Sequence, residues 1–137
     1  MRVALDTNVL VRALVDDTTA TAQCAAARAA LVDADCVFVA QIVQVELVWV
    51  LSTAYGLRHA ELVHVLQHLS AHDKIELEAR DAFDAAFKRF SEHTRSDFAD
   101  ALLAAAAAQS NADVATPLLT FDQRFARMLG TTALTVA

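Results

Sequence analysis

The sequence predicts an α/β protein: an open parallel sheet with helices on both faces. Three observations carry this. Short apolar runs alternate with longer helical stretches, and the connections are long enough for crossovers. Only two glycines (Gly56 and Gly130) and one proline (Pro117) occur in 137 residues, which favours helices over a loop-rich β protein. The chain also starts on an apolar run that ends in an acid. Val3, Ala4 and Leu5 read as a parallel strand covered on both faces, and Asp6 follows where open α/β sheets keep their ligands.

The elements follow in order. Thr7 and Asn8 are able to cap a first helix, into which Val9, Leu10, Val11 and Leu14 fit. The stretch Asp16-Asp17-Thr18-Thr19 breaks it, and an alanine-rich helix is expected over about 20–31. A second strand spans 36–39. The stretch 42–54 reads as a packed helix that holds Glu46 and ends near Gly56, and another helix covers 57–69 with Leu62, Val63, Leu66 and Leu69 on one side. Charged residues within 74–77 suit a short edge strand. Phe83, Phe87 and Phe90 share a face of a helix over 81–90, and 93–96 is a polar loop. Asp97 opens the most helical segment, DFADALLAAAAAQSNA, expected to be nearly buried. A strand over 116–120, with Pro117 near its start, a short helix over 121–128 and a last strand over 133–136 complete the chain. No repeat, linker or low-complexity tail interrupts it, so residues 1–137 are expected to form a single domain with its own core.

Composition narrows the class. An apolar content of 56% rules out disorder. No apolar run reaches the length of a membrane span and no signal peptide is recognised, so a cytoplasmic protein is expected. Cys24 and Cys36 lack metal-ligand spacing and read as buried free thiols. The net charge of −6 argues against a broad basic face for duplex DNA. It leaves room for an enzyme acting on nucleic acid, because carboxylates gathered around a divalent metal distort the formal count.

Five acids are placed informatively. Asp6 ends the first strand. Glu46 sits in an otherwise apolar helix. Asp97 and Asp100, three apart at a helix start, face the same side. Asp122 comes two residues after a strand end. These are positions the fold is expected to bury or half-bury. Such carboxylates cannot all stay ionised near one another without a counter-charge, and a hard divalent ion supplies it. The set contains no histidine, which argues against zinc. Each acid also has a plain structural reading. Asp6, Asp97 and Asp122 are each suited to cap a helix, Asp97 and Asp100 form a capping-box pair, and Glu46 is able to reach solvent.

LDTNVLV at 5–11, Glu46 in its helix, DFADALLAA at 97–105 and TFD at 120–122 together resemble the PIN domain, and more narrowly the small VapC toxins of type II toxin–antitoxin modules. The likeness spans essentially the whole chain. It implies a five-stranded parallel sheet in the order 3-2-1-4-5, with the Asp6 strand central. It also implies an endoribonuclease that depends on Mg2+ or Mn2+ and cleaves structured RNA such as tRNA or rRNA. By the resemblance Asp6, Glu46, Asp100 and Asp122 are the catalytic acids and metal ligands, and Asp97 is an accessory ligand. Thr7 and Asn8 match the polar pair after the first acid, and Thr120 a hydroxyl lining the site. A homodimer and a VapB-type antitoxin partner are implied as well.

The charge balance departs from what an RNA-binding toxin suggests. Arg12, on the helix that starts at the site, is the leading phosphate contact, followed by Arg95, Arg124 and Arg127, with Lys88 and Arg89 further off. Two other readings compete: a PIN-like interaction module with weak or no nuclease activity, and a metal-dependent phosphatase. A phosphatase that phosphorylates Asp6 wants a second aspartate two residues on, where this chain has Asn8. No glycine-rich loop or GxSxG motif is present. His64, His68 and His72 recur every fourth residue and read as a solvated face. Trp49, Leu51, Tyr55, Leu57, Leu62 and Leu66 offer apolar surface for a dimer seam or an antitoxin groove.

Overall fold

The computed structural model describes residues 1–129 and 131–135. The chain divides into two compact units, Met1–Arg80 and Asp81–Ala137. The first contains β1 (Arg2–Ala4), α1 (Thr7–Leu14), α2 (Thr21–Asp33), β2 (Cys36–Val39), α3 (Gln41–Thr53), α4 (His59–Ala71) and β3 (Ile75–Leu77). The second contains α5 (Arg80–Glu92, begun one residue earlier), α6 (Phe98–Gln109), β4 (Leu119–Thr120), α7 (Gln123–Leu129) and β5 (Thr132–Ala133).

In the first unit the strands lie parallel in the order β1-β2-β3, with Val3 opposite Val37 and Val37 opposite Ile75. In the second unit β4 pairs with β5, also parallel. The expected neighbours 3-2-1 and 4-5 are therefore present, and the parallel α/β class holds. Within the first sheet β2 is the middle strand, with Val37 and Val39 fully buried. The expectation that the strand before Asp6 is covered on both faces is corrected: Arg2 and Ala4 of β1 are exposed.

The apolar positions of the first unit mark its core. Leu10, Leu47, Leu51, Leu66 and Leu69 are fully buried, and α1 packs on α2 and α3. This corrects the apolar surface expected from sequence, because Leu51, Leu62 and Leu66 are core residues and Trp49 is the large exposed one. Gln44 is a fully buried polar residue among them. Its Nε2 donates to the carbonyls of Val39 (3.2 Å) and Glu78 (3.0 Å) and so ties together the ends of β2 and β3, while its Oε1 has no partner among the described residues. Glu78 in turn accepts from the Gln41 N–H at 2.8 Å and so closes the start of α3. Gly56 follows α3 in the left-handed region (φ 65), and the Leu57 N–H returns to the Leu51 carbonyl at 3.0 Å. Gln44→Leu removes a donor that both carbonyls use, although the Val39 carbonyl keeps the Glu78 N–H at 3.0 Å, so it should destabilise the protein by about 0.5–1.5 kcal/mol in urea denaturation, the net worth of an ordinary hydrogen bond.

The second unit is organised by phenylalanines. Phe83, Phe90 and Phe98 are buried, with ring centroids 5.8 Å apart in the 83–98 and 90–98 pairs, both edge-to-face. Phe87 stacks on Phe83 and is half-buried. The expectation that the alanine-rich segment is nearly buried fails beyond its first turns. Ala101 and Leu102 are buried, Leu103 is 52% exposed, and the helix ends at Gln109. Asn111–Pro117 is exposed and irregular. Proline has no N–H for a ladder, and the strand shrinks to Leu119–Thr120. The last strand is Thr132–Ala133, and Val136, included in the expected strand, lies outside the described residues.

Candidate active site

Asp6 is the N-cap of α1. Its backbone is extended (φ −71, ψ 156), and its Oδ1 accepts from the Thr7 N–H at 2.7 Å. The cap is thus Asp6 itself, one or two residues earlier than Thr7 or Asn8. Capping uses one carboxylate oxygen, and the residue stays exposed. Thr7, first in the helix and buried, turns its hydroxyl outward to donate to Glu46 Oε2 at 2.8 Å. That bond joins the start of α1 to the middle of α3. Asp6, Thr7, Asn8, Arg12 and Glu46 line a cleft of about 410 Å3, together with Tyr55 and the apolar Val11 and Val50.

Thr7→Val keeps the shape at this buried position and removes the donor. We expect a loss of about 1–2 kcal/mol in stability, as for hydrogen bonds to charged groups. Thermal denaturation with Thr7→Ser as the retained-donor control measures it.

Arg12 is held by its neighbours. Its Nη1 lies 3.2 Å from Asp17 Oδ2 and donates to the Tyr55 hydroxyl, and its Nε donates to Gln23 at 3.0 Å. Tyr55 also donates to Asp17 at 2.9 Å. Bonds from Thr19 to Asp17, then that of Tyr55, lower the Asp17 carboxyl below its ordinary range. Desolvation first, and the bond to Asp17 second, push the Tyr55 phenol up. Arg12 is a tie between α1 and the loop after it.

The second unit carries the other acids. Asp97 is the N-cap of α6, and its Oδ1 accepts from the Asp100 N–H at 3.2 Å. Asp122 plays the same part for α7, accepting from the Phe125 N–H at 3.0 Å. Thr120 Oγ1 accepts from the Asp122 N–H at 3.0 Å and fixes the turn that presents this acid. Asp97, Asp100 and Asp122 line one cleft of about 330 Å3 together with Arg95, Ser96, Arg124, Phe125 and Met128. Burial first, then the negative charges of Asp97 and Asp122, raise the Asp100 carboxyl above its ordinary value. The Asp100 carboxylate thus feels both of the other acids.

Of the five acids expected to be buried or half-buried, only Asp100 is. Asp6, Glu46, Asp97 and Asp122 are exposed. The structure brings Asp6, Thr7, Asn8 and Glu46 into one cleft and Asp97, Asp100 and Asp122 into another. Tyr55, expected on an apolar partner surface, and Ser96, expected only in a polar loop, are cleft residues. Cys24 is buried and Cys36 half-buried, both free. His64 and His68 are exposed, on the expected solvated face, whereas His72 is half-buried past the end of α4, its Nδ1 accepting from the Lys74 N–H at 3.2 Å.

The donor set was tested against a divalent ion. Among the described residues no three Asp, Glu, His or Cys side chains stand close enough to share one ion. Mg2+ does not require three, since one or two protein carboxylates hold it while it keeps several waters. All donors are hard oxygens, the ligand type such an ion takes. The residues fit a hard divalent ion.

Fold and clefts define a class: an α/β protein whose strand ends and helix starts carry carboxylates suited to divalent-metal chemistry. The chain belongs to the PIN domain family, whose model matches residues 3–129. PIN domains are generally hydrolytic nucleases and typically use divalent metals. Comparison with curated proteins and with solved structures gave no match.

Proposed function

We propose that this chain is an endoribonuclease dependent on Mg2+ or Mn2+, acting on structured RNA as the toxin of a VapBC-type pair. The observation that carries the reading is the aspartate cleft at 97, 100 and 122, where three carboxylates line one cavity and burial first, then the neighbouring charges, raise the Asp100 carboxyl. Membership of a family of nucleases supplies the reaction class.

In this reading residues 1–137 act as a single domain. Asp100 and Asp122, with Asp97 as accessory, and Asp6 would hold the metal. A bound divalent ion would supply Lewis acidity and a water of lowered pKa. Glu46 keeps Oε2 on the Thr7 hydroxyl, which leaves Oε1 as the oxygen to take a proton. Capping bonds fix one oxygen each of Asp6, Asp97 and Asp122, so these carboxylates are oriented before substrate arrives. The products would carry a 5′-phosphate and a 3′-hydroxyl, with no covalent enzyme intermediate. Mapping RNA ends after controlled expression tests the reading, with D6N as control. Full Mg2+-dependent cleavage by D6N would sink it.

An interaction module is the second reading, favoured by Trp49 (66% exposed) and Ile42 (67% exposed) on α3. A homodimer and an antitoxin partner belong with the toxin proposal, and solution mass with and without the product of a neighbouring short reading frame tests both. No helix among the described residues is long and apolar enough to cross a membrane, and we place the toxin in the cytoplasm.

A further inference from the structure

Six cations were possible phosphate contacts by sequence, and the structure sorts them by what each already holds. Arg12 is paired with Asp17 and bonded to Tyr55. Arg89 donates to the Met128 carbonyl and so secures α7. Arg127 and Lys88 are exposed and line neither acid-bearing cleft. Arg95 and Arg124 remain, and both line the aspartate cleft.

Neither guanidinium forms an ion pair among the described residues, although three aspartates share their cleft. Arg124 Nη2 makes one long bond, 3.4 Å, to the Arg95 carbonyl, which sets the two residues side by side. The loop beneath Arg95 is fixed: the Ser96 N–H donates to the His93 carbonyl at 3.0 Å, and the Ser96 hydroxyl donates to it at 2.6 Å. Two always-charged forks on a braced loop and a helix start, unspent on nearby acids, have the chemistry for phosphate oxygens. The charge balance agrees. Three carboxylates and two guanidiniums leave the cleft at −1, and one divalent cation turns it to +1, opposite in sign to a phosphodiester.

We propose that Arg95 and Arg124 bind the RNA backbone beside the aspartate cleft, holding a phosphodiester without reading the base. They are positioning residues, and the inference rests on the nuclease reading above. It also answers the acidic net charge, because a local pair does the work that a broad basic face would do elsewhere.

The test is binding of a fluorescein-labelled single-stranded 12-mer RNA to the full chain, by anisotropy, with Ca2+ in place of Mg2+ and salt varied. Arg95→Ala and Arg124→Ala should each weaken binding about tenfold, in the range of a lost charge-assisted bond. Each should flatten the log K against log salt slope by about 0.7, the single-strand value per phosphate contact. Arg95→Lys and Arg124→Lys should restore most of the slope, which a merely structural role would not produce. Mg2+ binding by calorimetry should be kept in the alanine variants. Unchanged affinity and slope in a folded double alanine variant would overturn the proposal, as would loss of Mg2+ binding along with RNA. The nuclease reading stands or falls separately, on whether the wild-type chain cleaves RNA with Mg2+ and D6N does not.

Discussion

Asp100→Asn is expected to raise the thermal midpoint, while cutting metal-dependent RNA cleavage at least about a hundredfold, since even outer-sphere partners of metal ligands are worth 10–100-fold. The two effects have one cause. Burial and the charges of Asp97 and Asp122 raise the Asp100 carboxyl, so the folded chain binds its proton more tightly than the unfolded chain does. Stability therefore falls as pH rises from the ordinary carboxylate value through the raised one, and the penalty is fully present above it, at neutral pH. The amide cannot ionise, so the variant escapes the penalty and this part of the pH dependence flattens. The same proton competes with a cation. Mg2+ should bind wild type more tightly as pH rises through the raised value, and release a fraction of a proton as it does. Calorimetry in buffers of different ionisation enthalpy measures that release. Saturating Mg2+ should raise the wild-type midpoint by mass action and leave D100N where it is. A midpoint that drops in D100N without metal would refute the account of Asp100 as a carboxylate under repulsion.

The sequence showed Asp100 to be unusual but not why Glu46 would be exposed. On α3 the buried residues are Val43, Gln44, Leu47 and Leu51, and Ile42, Glu46, Trp49 and Thr53 are exposed. At 100° per residue these sets occupy opposite arcs of the helix. An apolar pattern cannot separate them, because the buried arc contains a glutamine and the exposed arc contains isoleucine and tryptophan. Gln44 is inside because it bonds the ends of two strands, and no periodicity encodes that. Asp6 was legible from the run before it, since a strand that stops at an acid and a helix that starts there leave one place for the carboxylate. Its capping bond and its exposure were not both expected, yet one oxygen is enough for the cap. Arg12 shows the opposite failure. Proximity in sequence to Asp6 made it the first choice for phosphate, but Asp17, five residues on, and Tyr55, from a distant part of the chain, already hold it. The late strands shrank because Pro117 and the exposed 111–117 stretch offer little to bury and no continuous ladder.

Phe98→Ala carries the largest expected cost in stability. Its ring is 1% exposed and meets Phe83 and Phe90 edge-on. Removing it loses the transfer energy of the ring and leaves a void that helices α5 and α6 cannot fully close, about 3–5 kcal/mol. A small domain has only about 5–15 kcal/mol in total, so denaturant midpoints should fall steeply and the thermal midpoint by about 10 °C or more. The consequence for the site follows from position. Phe98 is the first residue of α6, between the cap Asp97 and the cleft residue Asp100. The buried ring anchors the turn whose N–H groups and carboxylates face outward, so core packing sets where those acids stand. Phe98→Leu keeps most of the volume and should cost less than about 1.5 kcal/mol. At a temperature where both variants are folded by circular dichroism, Mg2+ affinity should follow the order wild type, Phe98→Leu, Phe98→Ala. Equal affinity in a folded Phe98→Ala would mean that the Asp97 cap alone holds the acids in place, and that the phenylalanine cluster serves stability without serving the site.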